Sequence, residues 1–310
     1  MTTGHGPRRR QLLQVLAGAA ALPWLASGCA TQGGGGVLRQ RTVTSSASDQ
    51  VPLAVFESGN PRGRPVIFIH GFAQSHESWM RQLQAPELQG ELRLIAFDLR
   101  GHGDSGKPLA KEAYHDPRKW AQDLQSVIQA SGAAKPTLVA WSYGGRVLND
   151  YLSVFGDGDV GALDYVAATS TGQPFGQGSA ARLMGPMLSD DAALVPQADA
   201  AFLRACFEKQ PGDADFEAMR RFNAQCPVAV RKLLAGRPAN YDDTLRRLKV
   251  PVLVTHGDRD RISAVAMSEY TVSLVPQARL SLYPGIGHSS FHEDPARFNA
   301  ELLALARQSG

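Results

Sequence analysis

The chain has 310 residues, of which 43% are hydrophobic and 20% charged, so it can form a globular core without disulfides or metal ions. The net charge of +3 comes from Arg8, Arg9 and Arg10, because 29 basic and 29 acidic side chains remain after Cys29. A nearly neutral remainder without a basic stripe excludes nucleic acid as an expected partner.

Residues 1–29 have the layout of an export signal, with a basic start, an apolar run and small residues at its end. Arg9-Arg10 resembles a bacterial twin-arginine motif, and the Ala-Ser-Gly-Cys sequence ending at Cys29 resembles a lipobox. The apolar run at 15–25 is too short for a spanning helix of about 20 residues. We therefore expect a bacterial periplasmic protein or membrane-anchored lipoprotein, held through lipid on Cys29; without lipidation, the signal is cleaved nearby.

Residues 30–48 are expected to form a flexible tether, with glycines at 33–36, followed by the first edge strand. Extended segments at 42–44 and 51–57 flank a turn at 48–50 and predict a hairpin at one edge of a sheet.

A core in two parts, 49–171 and 241–310, alternates short apolar runs with helical patterns. The runs lie at 66–69, 92–97, 138–141, 166–168, 250–255 and 280–283, and the helical patterns lie at 120–130, 146–155 and 296–306. Strands apolar on both faces are typical of parallel sheets, so the order predicts a doubly wound α/β sheet. Ligands of such sheets bind beyond the carboxyl ends of the strands.

Residues 172–240 contain no strong strand pattern and predict a helical cap, with helices near 198–208 and 216–224. Two cysteines, Cys206 and Cys226, fall in this segment. In an oxidising compartment they form either a disulfide or two buried thiols on separate helices.

Ser142 lies between a predicted strand and a predicted helix, in Ala140-Trp141-Ser142-Tyr143-Gly144. This pattern is a nucleophile elbow, Gly-x-Ser-x-Gly, with Ala140 in place of the first glycine. Small neighbours are needed because the turn is tight and the helix passes close to the strand.

A serine hydroxyl needs a base and the base needs an orienting acid, and in this arrangement they follow in the order serine, acid, histidine. Asp260 follows the run at 250–255, and His288 follows the last run between glycine-rich turns. Asp258 competes with Asp260, which lies further into its loop and is preferred.

Four other histidines compete with His288 or suggest a metal site. His5 lies in the export signal, His256 is expected to support the acid loop, and His115 and His292 are expected at the surface. His288 and His292 are four residues apart, but Gly287 argues against a helical metal-ligand pair.

An oxyanion formed at an ester carbonyl needs two backbone N–H donors. One is expected from Tyr143, directly after the nucleophile, and the other from Phe72 in the loop that begins His70-Gly71.

Together, His70-Gly71-Phe72, the stretch 98–105, the Ser142 elbow, the loop at 257–260 and Gly287-His288 resemble the α/β-hydrolase family, in its esterase and cofactor-free haloperoxidase-like branches. The resemblance spans roughly residues 50–305 and implies an α/β-hydrolase fold with the triad Ser142–Asp260–His288 and an oxyanion hole from Phe72 and Tyr143. The cap resembles nothing specific.

The expected function is hydrolysis of small to medium esters, lactones or related acyl compounds through an acyl-enzyme. The alternatives keep the same triad for perhydrolase or haloperoxidase chemistry, or for cleavage of C–C or amide bonds. A binding module that retains the fold is the non-enzymatic alternative. No cofactor or metal is expected, because no phosphate loop or dinucleotide fingerprint occurs. The expected partner is a small acyl molecule, and oligomeric state is open.

Overall fold

A computed structural model of the protein describes residues 1–2 and 37–309. The chain divides into two units, Met1–Gly33 and Gly34–Gly310, and the fold below is that of the second. The predicted export signal, Cys29 and the glycines at 33–36 lie outside the described residues. Within the described part, no helix is both long and apolar enough to cross a bilayer.

The described chain contains an eight-stranded sheet in the order β1-β2-β4-β3-β5-β6-β7-β8. The first pairs, β1 with β2 and β2 with β4, are antiparallel, and every later pair is parallel. The strands are β1 Arg39–Thr44, β2 Pro52–Gly59, β3 Arg64–Ile69, β4 Leu92–Phe97, β5 Thr137–Trp141, β6 Ala162–Val166, β7 Val252–Gly257 and β8 Ala278–Tyr283. The predicted edge hairpin and parallel α/β sheet are confirmed.

Both faces of the central strands are buried, as their continuous apolar runs require. In β3, Ile67 and Ile69 join one apolar cluster, while Val66 and Phe68 join the cluster on the opposite face. All four side chains are fully buried. The sheet is therefore the middle layer of a three-layer α/β structure.

Helices cover the two faces of the sheet, and local sequence fixes the ends of several of them. Asp116 caps the start of the helix Pro117–Ser131 by accepting from the Arg118 amide, and Gly132 ends it with a φ of 60°. The α-helices are α1 Met80–Leu83, α2 Pro86–Gln89, α3 Glu112–His115, α4 Pro117–Ser131, α5 Gly144–Phe155, α6 Val195–Ala205, α7 Asp213–Ala224, α8 Val228–Leu234, α9 Asp242–Arg246, α10 Val265–Leu274, α11 Ser290–Glu293 and α12 Pro295–Ala306.

Residues 172–240 contain α6, α7, α8 and three short 3₁₀ helices, Pro174–Gly176, Ala181–Met184 and Pro186–Leu188. Cys206 ends α6 and Cys226 lies between α7 and α8; both are buried free thiols. The disulfide alternative is therefore not realised, and the alternative of two buried thiols describes the structure.

Several elements differ from the sequence prediction, which contained no helix at the positions of α1, α2, α3, α9 and α11. The strand expected at 166–168 lies at Ala162–Val166, because the buried Asp164 interrupts its apolar run and Ala167 leaves the strand with a φ of 43°. Helix α10 was not predicted, since Val265–Leu274 has no apolar stripe and buries mainly Met267, Ser268 and Thr271.

Candidate active site

Ser142 lies at a sharp turn between β5 and α5. Its φ of 53° is in the left-handed region that residues other than glycine rarely adopt. The Ser142 amide donates to the Val166 carbonyl at 3.0 Å, and the Ser142 carbonyl accepts from the amides of Gly145 and Thr169. Ser142 therefore has the strained, well-anchored backbone that an elbow requires.

Close packing explains the small residues around this turn. A Cβ on Gly144 would lie 2.6 Å from the Ile69 carbonyl oxygen, so α5 passes too close to β3 for any side chain there. Ala140 lies within β5, fully buried and paired with Ile69 and Tyr165. Its methyl group is therefore part of the core and does not obstruct the turn.

His288 lies on the loop after β8 and is held at three points. Its Nδ1 is 2.7 Å from Oδ2 of Asp260. Its amide donates to the Cys206 carbonyl at 2.9 Å, and its own carbonyl accepts from the Trp141 indole N–H at 2.9 Å. The orientation of the buried imidazole is thus determined by β5, by the cap and by the loop after β7.

Asp260 is a fully buried carboxylate with four partners. Oδ1 accepts from the amides of Ile262 and Ser263, at 2.7 and 3.0 Å, and Oδ2 lies 3.1 Å from Nε2 of His256. Burial alone would raise the pKa of Asp260, but the imidazoles of His288 and His256 outweigh it and hold that pKa below its usual range. Asp260 is therefore ionised at neutral pH.

One contact of the predicted triad is not formed. Nε2 of His288 is buried without a hydrogen-bond partner among residues 37–309, and no hydrogen bond joins it to Oγ of Ser142. Catalytic hydrogen bonds are often long before substrate binds, so the missing bond does not exclude the pair. In the tautomer whose Nδ1–H donates to Asp260, Nε2 is a free acceptor.

Two backbone amides near Ser142 are also free. Within the described chain, neither the Phe72 amide nor the Tyr143 amide donates a hydrogen bond. A Cβ on Gly71 would lie 3.2 Å from Cβ of Ser142, so the absence of a side chain there brings the Phe72 loop close to the serine. Both amides are available to a ligand oxygen.

His70 holds that loop in place as a neutral side chain. Its Nδ1 donates to the Gly71 carbonyl at 2.9 Å, and its Nε2 accepts from the Leu99 amide at 3.0 Å. Burial lowers the pKa of His70 to about 4, which keeps the ring neutral and preserves both bonds.

Of the competing residues, His256 lies against Asp260, as expected for a residue that supports the acid loop, and three others make different contacts. Asp258 accepts from the Gly285 amide at 2.7 Å, and His115 lies 3.1 Å from the Leu233 carbonyl. The predicted surface position of His292 is wrong: its ring meets that of Phe207 of the cap edge to face, with centroids 5.2 Å apart, and burial lowers its pKa to about 4. Among residues 37–309, no group of three or more His, Cys, Asp or Glu side chains is placed to hold a metal ion.

A cleft of about 400 Å³ opens above Ser142 between the core and the cap. Phe72 and Tyr143 line it, whereas Trp141 lies beneath, 5.5 Å from the His288 ring and 4.9 Å from that of Phe291. Ser142 itself is part of the wall of the cleft.

Three arginines that no sequence motif indicated also line this cleft: Arg146, Arg182 and Arg237. Arg146 could have been found, because it follows Ser142 by four residues and so lies one helical turn away. Arg182 and Arg237 come from the cap, whose position over the sheet no local pattern reveals.

Known proteins are similar to this chain over most of its length. A family model described as alpha/beta hydrolase fold matches residues 64–295. A non-heme haloperoxidase from Rhodococcus erythropolis is 28% identical over 284 residues, which cover 84% of this chain and 97% of that protein.

Two solved structures are similar at higher identity. A putative aryl esterase from Burkholderia cenocepacia is 37% identical with a TM-score of 0.83, and the match covers 87% of this chain and 99% of that chain. An esterase from Rhodococcus sp. ECU1013 is 34% identical with a TM-score of 0.81, again over 87% and 99% of the two chains.

Proposed function

This chain belongs to the α/β-hydrolase fold family, and from that premise we propose that it is a serine hydrolase of small to medium esters, lactones or related acyl compounds. Ser142 is the proposed nucleophile, His288 its base and Asp260 the acid that orients the base. The substrate enters the cleft lined by Phe72 and Tyr143.

In the proposed reaction, Oγ of Ser142 attacks the substrate carbonyl carbon while Nε2 of His288 takes the hydroxyl proton. The free amides of Phe72 and Tyr143 donate to the oxyanion that forms. The tetrahedral intermediate collapses as His288 passes its proton to the leaving alcohol, and an acyl-enzyme remains on Ser142. Water, deprotonated by His288, then releases the acid and restores the serine.

Asp260 has an electrostatic and a geometric role in this scheme. Its carboxylate accepts from Nδ1–H of His288, which fixes the tautomer with a free Nε2, and its charge stabilises the imidazolium of each transition state. The amides of Ile262 and Ser263 hold the carboxylate in this orientation.

The observation that carries the proposal is the 2.7 Å contact between His288 and Asp260. A buried imidazole with an ionised carboxylate on one nitrogen, and no partner on the other, is arranged to accept a proton. The site also lies at the carboxyl ends of β5, β7 and β8, where ligands of such sheets bind.

Hydrolysis is proposed ahead of perhydrolysis because the two solved structures described above, at 37% and 34% identity, are named as esterases. A panel of 4-nitrophenyl esters, set beside acetate with hydrogen peroxide, compares the two reactions in one preparation. Faster turnover of acetate and peroxide would favour the haloperoxidase-like alternative.

A fluorophosphonate probe tests the nucleophile directly. We expect it to label the wild type and to fail on Ser142→Ala, while Ser273→Ala, a substitution at an exposed serine of α10, labels like wild type. Equal labelling of wild type and Ser142→Ala would contradict the assignment.

Export remains a proposal from the sequence. We infer that the chain is exported and lipidated at Cys29, because of the arginine pair and the lipobox-like end. In a bacterial host, radiolabelled palmitate should enter the wild type and not Cys29→Ser, and Arg9→Lys together with Arg10→Lys should retain the protein in the cytoplasm. Equal labelling of Cys29→Ser would disprove lipidation at this residue.

A further inference from the structure

The charged side chains in the described wall of the Ser142 cleft are all positive. Arg146, Arg182 and Arg237 line it, and no Asp or Glu occurs among the described residues of its wall. A site for a neutral ester has no need of guanidinium groups, which are costly to desolvate unless paired.

Arg237 is compensated within the protein. Its guanidinium is buried and donates to Oδ2 of Asp150 and to the Tyr143 hydroxyl. The other oxygen of Asp150 accepts from the Tyr241 hydroxyl at 2.9 Å. Each oxygen of this carboxylate therefore has a partner, and it forms no ion pair with the nearby Arg146. Burial raises the pKa of Asp150, and the charges of Arg237 and Arg146 oppose that rise.

Arg146 is half-buried, and its guanidinium is held by two main-chain carbonyls and lies over the Tyr143 ring, with Cζ 5.9 Å from the centroid. Its Nη1 donates to the carbonyl oxygens of Arg237 and Pro238, at 2.6 and 3.1 Å. Within the described chain, Nε and Nη2 of Arg146 have no hydrogen-bond partner, and the residue forms no ion pair. The Nε–Nη2 edge of a guanidinium matches the two oxygens of a carboxylate, so Arg146 is preorganised to bind one.

Arg182 adds positive charge on the cap side. It lies in the 3₁₀ helix Ala181–Met184, is exposed, and donates only to the Ser179 carbonyl at 3.1 Å. The same side chain also lines an adjoining surface groove, which contains Arg204 and Arg261 and no acidic residue among those described. Positive charge therefore continues from the outer surface to the cleft, which favours entry of an anion.

Apolar side chains fill the remaining wall near the arginines, among them Met184, Leu188 and Leu234. An acyl chain of several carbons could contact them with one end at Ser142 and the other at Arg146. The wall thus suits a molecule with an apolar body and an anionic end.

We propose that the cleft takes acyl substrates carrying a free carboxylate apart from the bond that is cleaved, such as half-esters of dicarboxylic acids. Arg146 binds the carboxylate inside the cleft, and Arg182 attracts it at the mouth. The proposal rests on the proposed function, since Ser142 performs the cleavage.

Two esters of equal acyl length test this charge preference: mono-4-nitrophenyl adipate, with a terminal carboxylate, and 4-nitrophenyl hexanoate, with a terminal methyl. In the wild type, kcat/KM for the adipate should exceed that for the hexanoate by about 10- to 100-fold, the value of a charge-assisted hydrogen bond. Arg146→Met should lower this ratio about tenfold or more, because it slows adipate hydrolysis far more than hexanoate hydrolysis. Arg146→Lys should restore part of the ratio, since Lys keeps the charge but loses the planar pair of donors.

Arg182→Met keeps the test independent of any folding defect in Arg146→Met, because Arg182 is exposed and forms no ion pair within residues 37–309. It should also lower the ratio, more at low salt than at high salt. Arg62→Met, at an exposed turn before β3, is the matched control and should leave the ratio unchanged.

Binding of free adipate, measured by calorimetry on the wild type and Arg146→Met, separates this proposal from the proposed function. Hexanoate hydrolysis at or above the adipate rate, with a ratio unaffected by Arg146→Met and Arg182→Met, would overturn the carboxylate site and leave the serine hydrolase intact. If neither ester is hydrolysed and the probe does not label Ser142, the proposed function fails. Adipate binding that is lost in Arg146→Met then still supports the carboxylate site, and equal or absent binding overturns it.

Discussion

The main-chain amide of His288 donates a 2.9 Å hydrogen bond to the carbonyl oxygen of Cys206, at the end of the cap helix α6. The cap is therefore joined to the loop that carries the proposed base. The carboxylate of Glu293 strengthens this connection, since it accepts from the amide of Gly287 at 3.0 Å and from those of Glu208 and Lys209 at 3.2 and 2.8 Å.

We expect Glu293→Gln to weaken the contacts that hold the loop of His288. An amide side chain has one acceptor oxygen where the carboxylate has two, so at least one amide loses its partner, at a cost of about 1–2 kcal/mol in stability. We expect a lower Tm and a lower kcat, measured by thermal unfolding and 4-nitrophenyl acetate hydrolysis. Glu91→Gln, which breaks an exposed ion pair with Arg307, should change neither; a wild-type kcat in Glu293→Gln would show that the connection is irrelevant to turnover.

Asp260→Asn should nearly abolish activity while the fold persists. The neutral amide no longer selects the tautomer of His288 or stabilises its imidazolium, so kcat should fall by about 10³- to 10⁴-fold. Asp258→Asn is the matched control, because its carboxylate bonds to Gly285 and not to His288, and its kcat should remain within about threefold of wild type. A larger loss in Asp258→Asn than in Asp260→Asn would reverse the assignment of the acid.

Ser142→Gly and Ser142→Ala should both be inactive but differ in stability. Glycine adopts a φ of 53° without strain, whereas alanine retains the clash of its Cβ, so the glycine variant should be more stable by about 1 kcal/mol. Chemical denaturation of the two variants measures the difference. A more stable alanine variant would mean that the turn is not strained in solution.

Asp164→Asn should stabilise the protein, increasingly as the pH rises. Burial raises the pKa of Asp164 to about 8, against the single opposing hydrogen bond from Thr255. The folded state thus retains a proton that the unfolded state releases near pH 4, so wild-type stability falls between about pH 4 and pH 8.

The amide isostere removes this titration, and the gain at pH 8 should be of the order of a few kcal/mol. Unfolding curves at pH 5 and pH 8 measure it, with Asp159→Asn, at an exposed position, as the control. The same gain at both pH values would indicate an effect of packing instead of ionisation.

Cys206 and Cys226 should react with iodoacetamide only after denaturation. Burial raises the pKa of Cys226 to about 12 and that of Cys206 well above its usual value, so neither forms a thiolate near neutral pH. Peptide mapping of protein alkylated with and without denaturant checks both residues. A Cys206–Cys226 disulfide-linked peptide in the unreduced sample would contradict two free thiols.

The sequence predicted secondary structure best where the backbone geometry depends on residues that are close together in the chain. The strands at 66–69, 92–97 and 138–141 and the turn at Ser142 were predictable, since apolar runs and small residues act over a few positions. The prediction placed the strand Ala162–Val166 too far along the chain, because Asp164 interrupts its apolar run. Asp164 is buried against Thr255, which belongs to a strand from the other half of the core.

The candidate active site also depends partly on sequence order and partly on tertiary structure. Sequence order alone selects a serine, an acid and a histidine at strand ends, because parallel strands bring their carboxyl ends to one edge wherever they occur in the chain. Only the tertiary structure decided that Asp260, not Asp258, meets His288, and that the cap brings Arg182 and Arg237 to the cleft beside Arg146. Those contacts join residues far apart in sequence, and their distances depend on how helices pack over the sheet, which no local periodicity encodes.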